Sequence, residues 1–147
     1  MMMLCAIPMI CAAITDMKKR IIPDWTWIAI LLIGGVSAFF FKTPYLPLFD
    51  RIIGFLFPAA SLIFIAIKYV GVGGGDIKLI AAMGFCFGMF GIAAILLFAA
   101  IPTCIYSFVT KQRSVPLAVF LCIGFFAYLV LSLYTGGELA WKCYWFF

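Results

Sequence analysis

The sequence predicts an all-α, polytopic membrane protein of about six transmembrane helices. Of its 147 residues, 68% are hydrophobic and only 10% are charged, and the mean hydropathy is +1.29. Soluble domains run at roughly 45–50% apolar and about 25% charged, so no polar surface here could cover a water-soluble core. At about 20 residues per span, this length leaves room for six short helices and for no extramembrane domain of independent size. The expectation is a single transmembrane domain over residues 1–147.

The elements follow from the apolar runs and their punctuation. Met1 to Thr15 carries no charge and is closed by Asp16, Lys18, Lys19 and Arg20. A secretory signal peptide has its positive residues before the apolar stretch and a cleavage site after it; the reversed order predicts a retained first helix with its N-terminus outside. After Pro23, Trp25 to Phe41 makes a second span, with Trp25 and Trp27 at interfacial depth. A loop with Lys42, Pro44, Pro47, Asp50 and Arg51 leads into a third span from Ile52 to about Tyr69, and Asp50 beside Arg51 reads as a solvated loop pair. Pro58 is tolerable in that helix because neighbouring helices can satisfy the freed carbonyl.

Gly71-Val72-Gly73-Gly74-Gly75-Asp76 then breaks the pattern, since four glycines in five residues do not hold a helix interior. From Ile77 to Thr110 the chain is apolar for longer than one span requires. Gly84, Gly88 and Gly91 offer a place to reverse, which predicts a short span to about Phe87 and a fuller one from about Gly91. Gly84 and Gly88 also have the spacing of close helix-packing positions. With that split, Lys111 and Arg113 join Lys18, Lys19, Arg20, Lys68 and Lys78 on one side, seven of the ten basic residues; this is the positive-inside pattern of a cytoplasmic face. The last span covers about Val115 to Tyr134, followed by an aromatic tail from Trp141 to Phe147.

Composition excludes several chemistries. There is no histidine, so Ser-His-Asp, Cys-His and HExxH machinery are impossible. The cysteines Cys5, Cys11, Cys86, Cys104, Cys122 and Cys143 form no CxxC pair and read as small hydrophobes; neither a metal nor a cofactor is expected. The net charge of +5 comes from basic residues that flank apolar runs, so the partner they imply is the lipid bilayer and not nucleic acid.

Among five acidic residues, Asp16 ends the first span and Asp76 begins the fourth. A carboxylate at membrane depth costs a few kcal/mol unless it meets water, a partner or a function. Taken singly, Asp76 reads as a helix N-cap after its glycines, and Asp16 as an interfacial residue offset by the lysines after it. Taken together they permit an acid pair. Two carboxylates face to face in a partly dry site do not both ionise easily, so one holds a proton while the other acts as base. The glycines before Asp76 let backbone approach closely.

Gly73-Gly74-Gly75-Asp76-Ile77-Lys78-Leu79 resembles the GxGDxKL signature of the type IV prepilin peptidases, membrane aspartic proteases that share GxGD with presenilin-type and signal-peptide-peptidase enzymes. Asp16-Met17-Lys18-Lys19-Arg20-Ile21-Ile22-Pro23 resembles that family's first aspartate with its basic stretch and Ile-Pro. Val115-Pro116-Leu117 resembles the element that opens its last span. The resemblance covers essentially the whole chain and implies the GxGD aspartic protease fold, Asp16 and Asp76 as the catalytic pair, and Gly73, Gly75 and Lys78 as supporting or substrate-binding positions. It implies cleavage of the short basic leader from prepilin-like precursors, Flp pilins or pseudopilins, at the cytoplasmic face of the cytoplasmic membrane. Asp24 stands where the family commonly has Asn, and Leu117-Ala118 where it commonly has Phe-Gly. Without the paired CxxC motifs of the long members, the chain looks like the short, peptidase-only type, with no separate methyltransferase domain. The competing reading is a small proton-coupled carrier or channel, which should place an acid near mid-membrane among polar pore-lining residues.

Overall fold

The computed structural model describes residues 2–19, 21–40, 47–68, 73–110 and 117–134. The expected arginine and lysine positions at 20, 42, 111 and 113, the element at 115–116 and the aromatic tail lie outside the described residues. Five helices account for the described chain: α1 (Met2–Lys19), α2 (Asp24–Phe40), α3 (Leu48–Lys68), α4 (Gly74–Thr110) and α5 (Leu117–Tyr134). Three of them, α3, α4 and α5, are long and apolar enough to cross a membrane, and α2 is a shorter apolar helix. Phe39, Phe64, Phe108 and Tyr134 project outward almost fully exposed, a surface that suits lipid and not water.

The split expected between Ile77 and Thr110 is present within α4, as two helical segments that meet at a kink between Phe87 and Gly91. The kink falls at Gly88, whose φ of 72° and ψ of −180° are not helical. This region of backbone space is essentially reserved for glycine. The break folds α4 back on itself. Asp76, in its first turn, lies within electrostatic reach of Asp16; Asp16 touches Ala118 at the start of α5; and Tyr106, near the other end of α4, stacks at 5.4 Å on Phe120 in the first turn of α5. Both ends of α4 therefore meet the N-terminal end of α5. A straight helix would hold Asp76 and Tyr106 about 45 Å apart at 1.5 Å per residue. Of the three glycines that offered a reversal, Gly88 is the one with a positive φ.

Asp50 and Arg51 stabilise the break, and here the reading of a solvated loop pair is wrong. Both are buried, Arg51 to 1% exposure and Asp50 to 9%. A helix interruption leaves carbonyls unpaired before it and N–H groups unpaired after it. Arg51 Nη1 donates to the Phe85 carbonyl at 3.5 Å, as well as to the Gly34 carbonyl at 3.3 Å and Ser37 Oγ at 3.2 Å. On the far side of Gly88, Asp50 Oδ2 accepts the Met89 N–H at 3.2 Å. The first turn of α3 thus caps both broken ends of α4.

Close backbone approach seats α3 there. A Cβ on Gly84 would overlap the Gly54 carbonyl, and one on Gly54 would lie 2.6 Å from the Gly84 carbonyl. This is the small-residue contact by which membrane helices pack, as the spacing of Gly84 suggested. α4 also packs against α2 and α5, and α1 against α2 and α5. Met9, Ile30, Leu79, Met83, Ile95, Leu121 and Phe125 fill the core between them.

Gly88→Ala places a Cβ where only glycine is at ease, and is expected to lower stability by about 1–3 kcal/mol. Thermal unfolding in detergent checks this; an unchanged transition would mean that the backbone at residue 88 relaxes without cost.

Candidate active site

Asp16, Asp76 and the start of α5 converge at the end of the bundle where α1 finishes and α4 and α5 begin. Asp16 lies in the last turn of α1, three residues before Lys19, and is 6% exposed. Its Oδ2 accepts the N–H of Ala118 at 3.2 Å. Asp76 is half-buried in the first turn of α4, and Asp16 is near enough for its charge to act on the Asp76 carboxyl. The two acids come from segments 60 positions apart in the chain and face one site.

The glycines set the geometry of Asp76. The helix N-cap is Gly73, whose carbonyl accepts the Asp76 N–H at 3.1 Å and the Ile77 N–H at 3.4 Å. Asp76 is therefore the third helical residue and not the cap itself. Its carboxylate folds back to accept the Gly73 N–H, the return half of a capping box. A Cβ on Gly73 would sit 3.2 Å from Asp76 Oδ2, and one on Gly75 would sit 3.2 Å from Ile22 Cβ. The small residue at 75 thus brings the start of α4 against Ile22 in the α1–α2 connection, and the one at 73 leaves room for the Asp76 carboxylate.

Lys78 points elsewhere. Its Nζ pairs with Asp24 Oδ1 at 3.2 Å, with both side chains more than half exposed, and lies 5.5 Å from the centre of the Trp27 ring. Trp27 Nε1 donates to the same Asp24 oxygen at 2.9 Å. Asp24 is thus a solvent-side clamp between the starts of α2 and α4, where an exposed pair contributes little.

Ala118 is the participant that sequence reasoning missed. Its side chain carries no chemistry, and its contribution is a backbone N–H. The signal available was positional: the Val115-Pro116-Leu117 element immediately precedes it.

A highly apolar helical chain that brings a buried carboxylate and a half-buried one to adjoining helix ends defines a membrane protein with an intramolecular acid pair. Residues 3–108 match the model of the type IV leader peptidase family, and the chain belongs to that family. It is 40% identical over 72 residues to the prepilin peptidase EppA of Methanocaldococcus jannaschii, a stretch that is 49% of this chain and 19% of that relative. The chain thus spans less than a fifth of the length of the relative it matches. No solved structure matches it.

Proposed function

We propose that the protein is a membrane aspartic endopeptidase that removes the short leader from type IV prepilin-like precursors, Flp pilins or pseudopilins, with Asp16 and Asp76 as the catalytic pair. The observation that carries this reading is the buried Asp16 carboxylate acting across the helix ends on Asp76. Similarity to EppA, a prepilin peptidase, supports it. One carboxylate takes a proton from water as the water oxygen attacks the scissile carbonyl carbon, while the protonated partner gives its proton to the carbonyl oxygen. Collapse of the gem-diol adduct breaks the C–N bond: the carboxyl that took the water proton gives it to the leaving amine, and the other carboxylate takes a proton from an adduct hydroxyl, which restores the shared proton. Like charges held side by side provide the single shared proton that this cycle needs.

The site lies at the cytoplasmic face of the cytoplasmic membrane in this reading, with the N-terminus outside. Lys18, Lys19 and Lys78 stand at the helix ends that carry the acids, the distribution expected of a cytoplasmic surface. The carrier alternative is disfavoured because both acids sit at helix ends and not at mid-span, where a proton pathway would place them.

The test is to reconstitute the chain with candidate precursors and follow precursor size and the mass of the new N-terminus. Cleavage at one bond next to a basic leader is expected. Intact precursors together with a proton flux into liposomes would overturn the peptidase in favour of the carrier.

A further inference from the structure

We propose that the backbone amide of Ala118 is a positioning group for Asp16. The inference rests on the reading of Asp16 as half of the catalytic pair. Ala118 is the second residue of α5, so its N–H has no carbonyl four residues back to bond within its own helix. It is fully buried, and water cannot serve as the substitute. The Asp16 Oδ2, 3.2 Å away, is its acceptor. The contact satisfies a helix-start donor and places an anion at the positive end of the α5 dipole.

The consequence is geometric. Asp16 is followed by Lys18 and Lys19 at the end of α1, and an aspartate free to rotate about its side-chain bonds could turn toward those ammonium groups. With Oδ2 held by α5, the carboxyl plane is set from a second helix and stays directed at the start of α4.

Ala118→Pro replaces the N–H by a methylene at a position where the first turn of a helix accepts proline. A roughly 10²-fold fall in kcat is expected, with KM changed less than about twofold. The conservative Ala118→Gly, which keeps the amide, should restore kcat; equal losses in both variants would mean that the methyl packing matters and the amide does not, and would overturn the proposal. Should Ala118→Pro fail to fold, the Ala118 amide proton is read by NMR in the intact protein. It should move upfield in Asp16→Ala, and an unmoved resonance would overturn the proposal. Activity retained by Asp16→Asn would instead remove the catalytic pair itself, so the two failures are distinguishable.

Discussion

Asp16→Asn and Asp76→Asn, each alone, are expected to lower precursor cleavage by at least about 10³-fold, the range that general acid–base groups contribute, while the variant proteins accumulate in the membrane as the parent does. Asparagine is the informative replacement because the local hydrogen bonds survive it. At position 16 the amide oxygen can still accept the Ala118 N–H that Oδ2 accepts at 3.2 Å. At position 76 it can still accept the Gly73 N–H at the helix start. What disappears is the ionisable proton, so a loss of rate reports on chemistry and not on folding. Stability should move the other way. Two carboxyls that repel across a partly dry site are costly, and removing either charge should leave thermal unfolding unchanged or raise its midpoint, the trade between activity and stability common at such sites. The cleavage assay and a detergent melt, run on the same preparations, separate the two quantities. Cleavage that survives Asp76→Asn would refute the pair.

The sequence made the membrane class and the run of helices legible because apolar length is a direct consequence of bilayer thickness. Asp16 and Asp76 stood out for a related reason: a carboxylate next to an apolar run is conspicuous when there are only five acids. The local cap at Asp76 was misplaced by three residues, since a glycine-rich stretch does not show which glycine begins the helix until the carbonyl of Gly73 is seen to accept two amides. Hydropathy alone does not place the break within residues 77–110, because a positive-φ glycine interrupts direction without interrupting apolarity; run length and the three glycines bracketed it, and Gly88 is where it falls. The role of Asp50 and Arg51 was invisible for a deeper reason. Their partners, Met89 and Phe85, lie 39 and 34 residues away, and the demand they meet exists only because Gly88 breaks a helix. In linear sequence a charged dipeptide between a proline loop and an apolar helix resembles any surface turn.

That network gives the second large effect, with the opposite signature. Arg51→Met roughly preserves side-chain length while removing the donor to the Gly34 and Phe85 carbonyls and Ser37 Oγ. A loss of about 3 kcal/mol is expected, since each buried polar group left unpaired costs about 1–3 kcal/mol. Asp50→Asn should cost less, because the amide oxygen still accepts the Met89 N–H. The two losses should not add. With both charges gone, the double variant should recover part of the sum, a coupling of the size that residues in one network show. Activity per folded molecule should hold in all three, since Gly88 lies about 18 Å of helix away from Asp76. Unfolding measured in detergent, paired with cleavage normalised to folded protein, distinguishes the classes: acids whose removal costs rate and not stability belong to the site, and those whose removal costs stability and not rate hold the reversal of α4. Additive losses would show that the two residues act independently, and single variants within about 0.5 kcal/mol of the parent, as for ordinary surface positions, would show that the break at Gly88 is held by backbone packing on Gly54 and Gly84 alone.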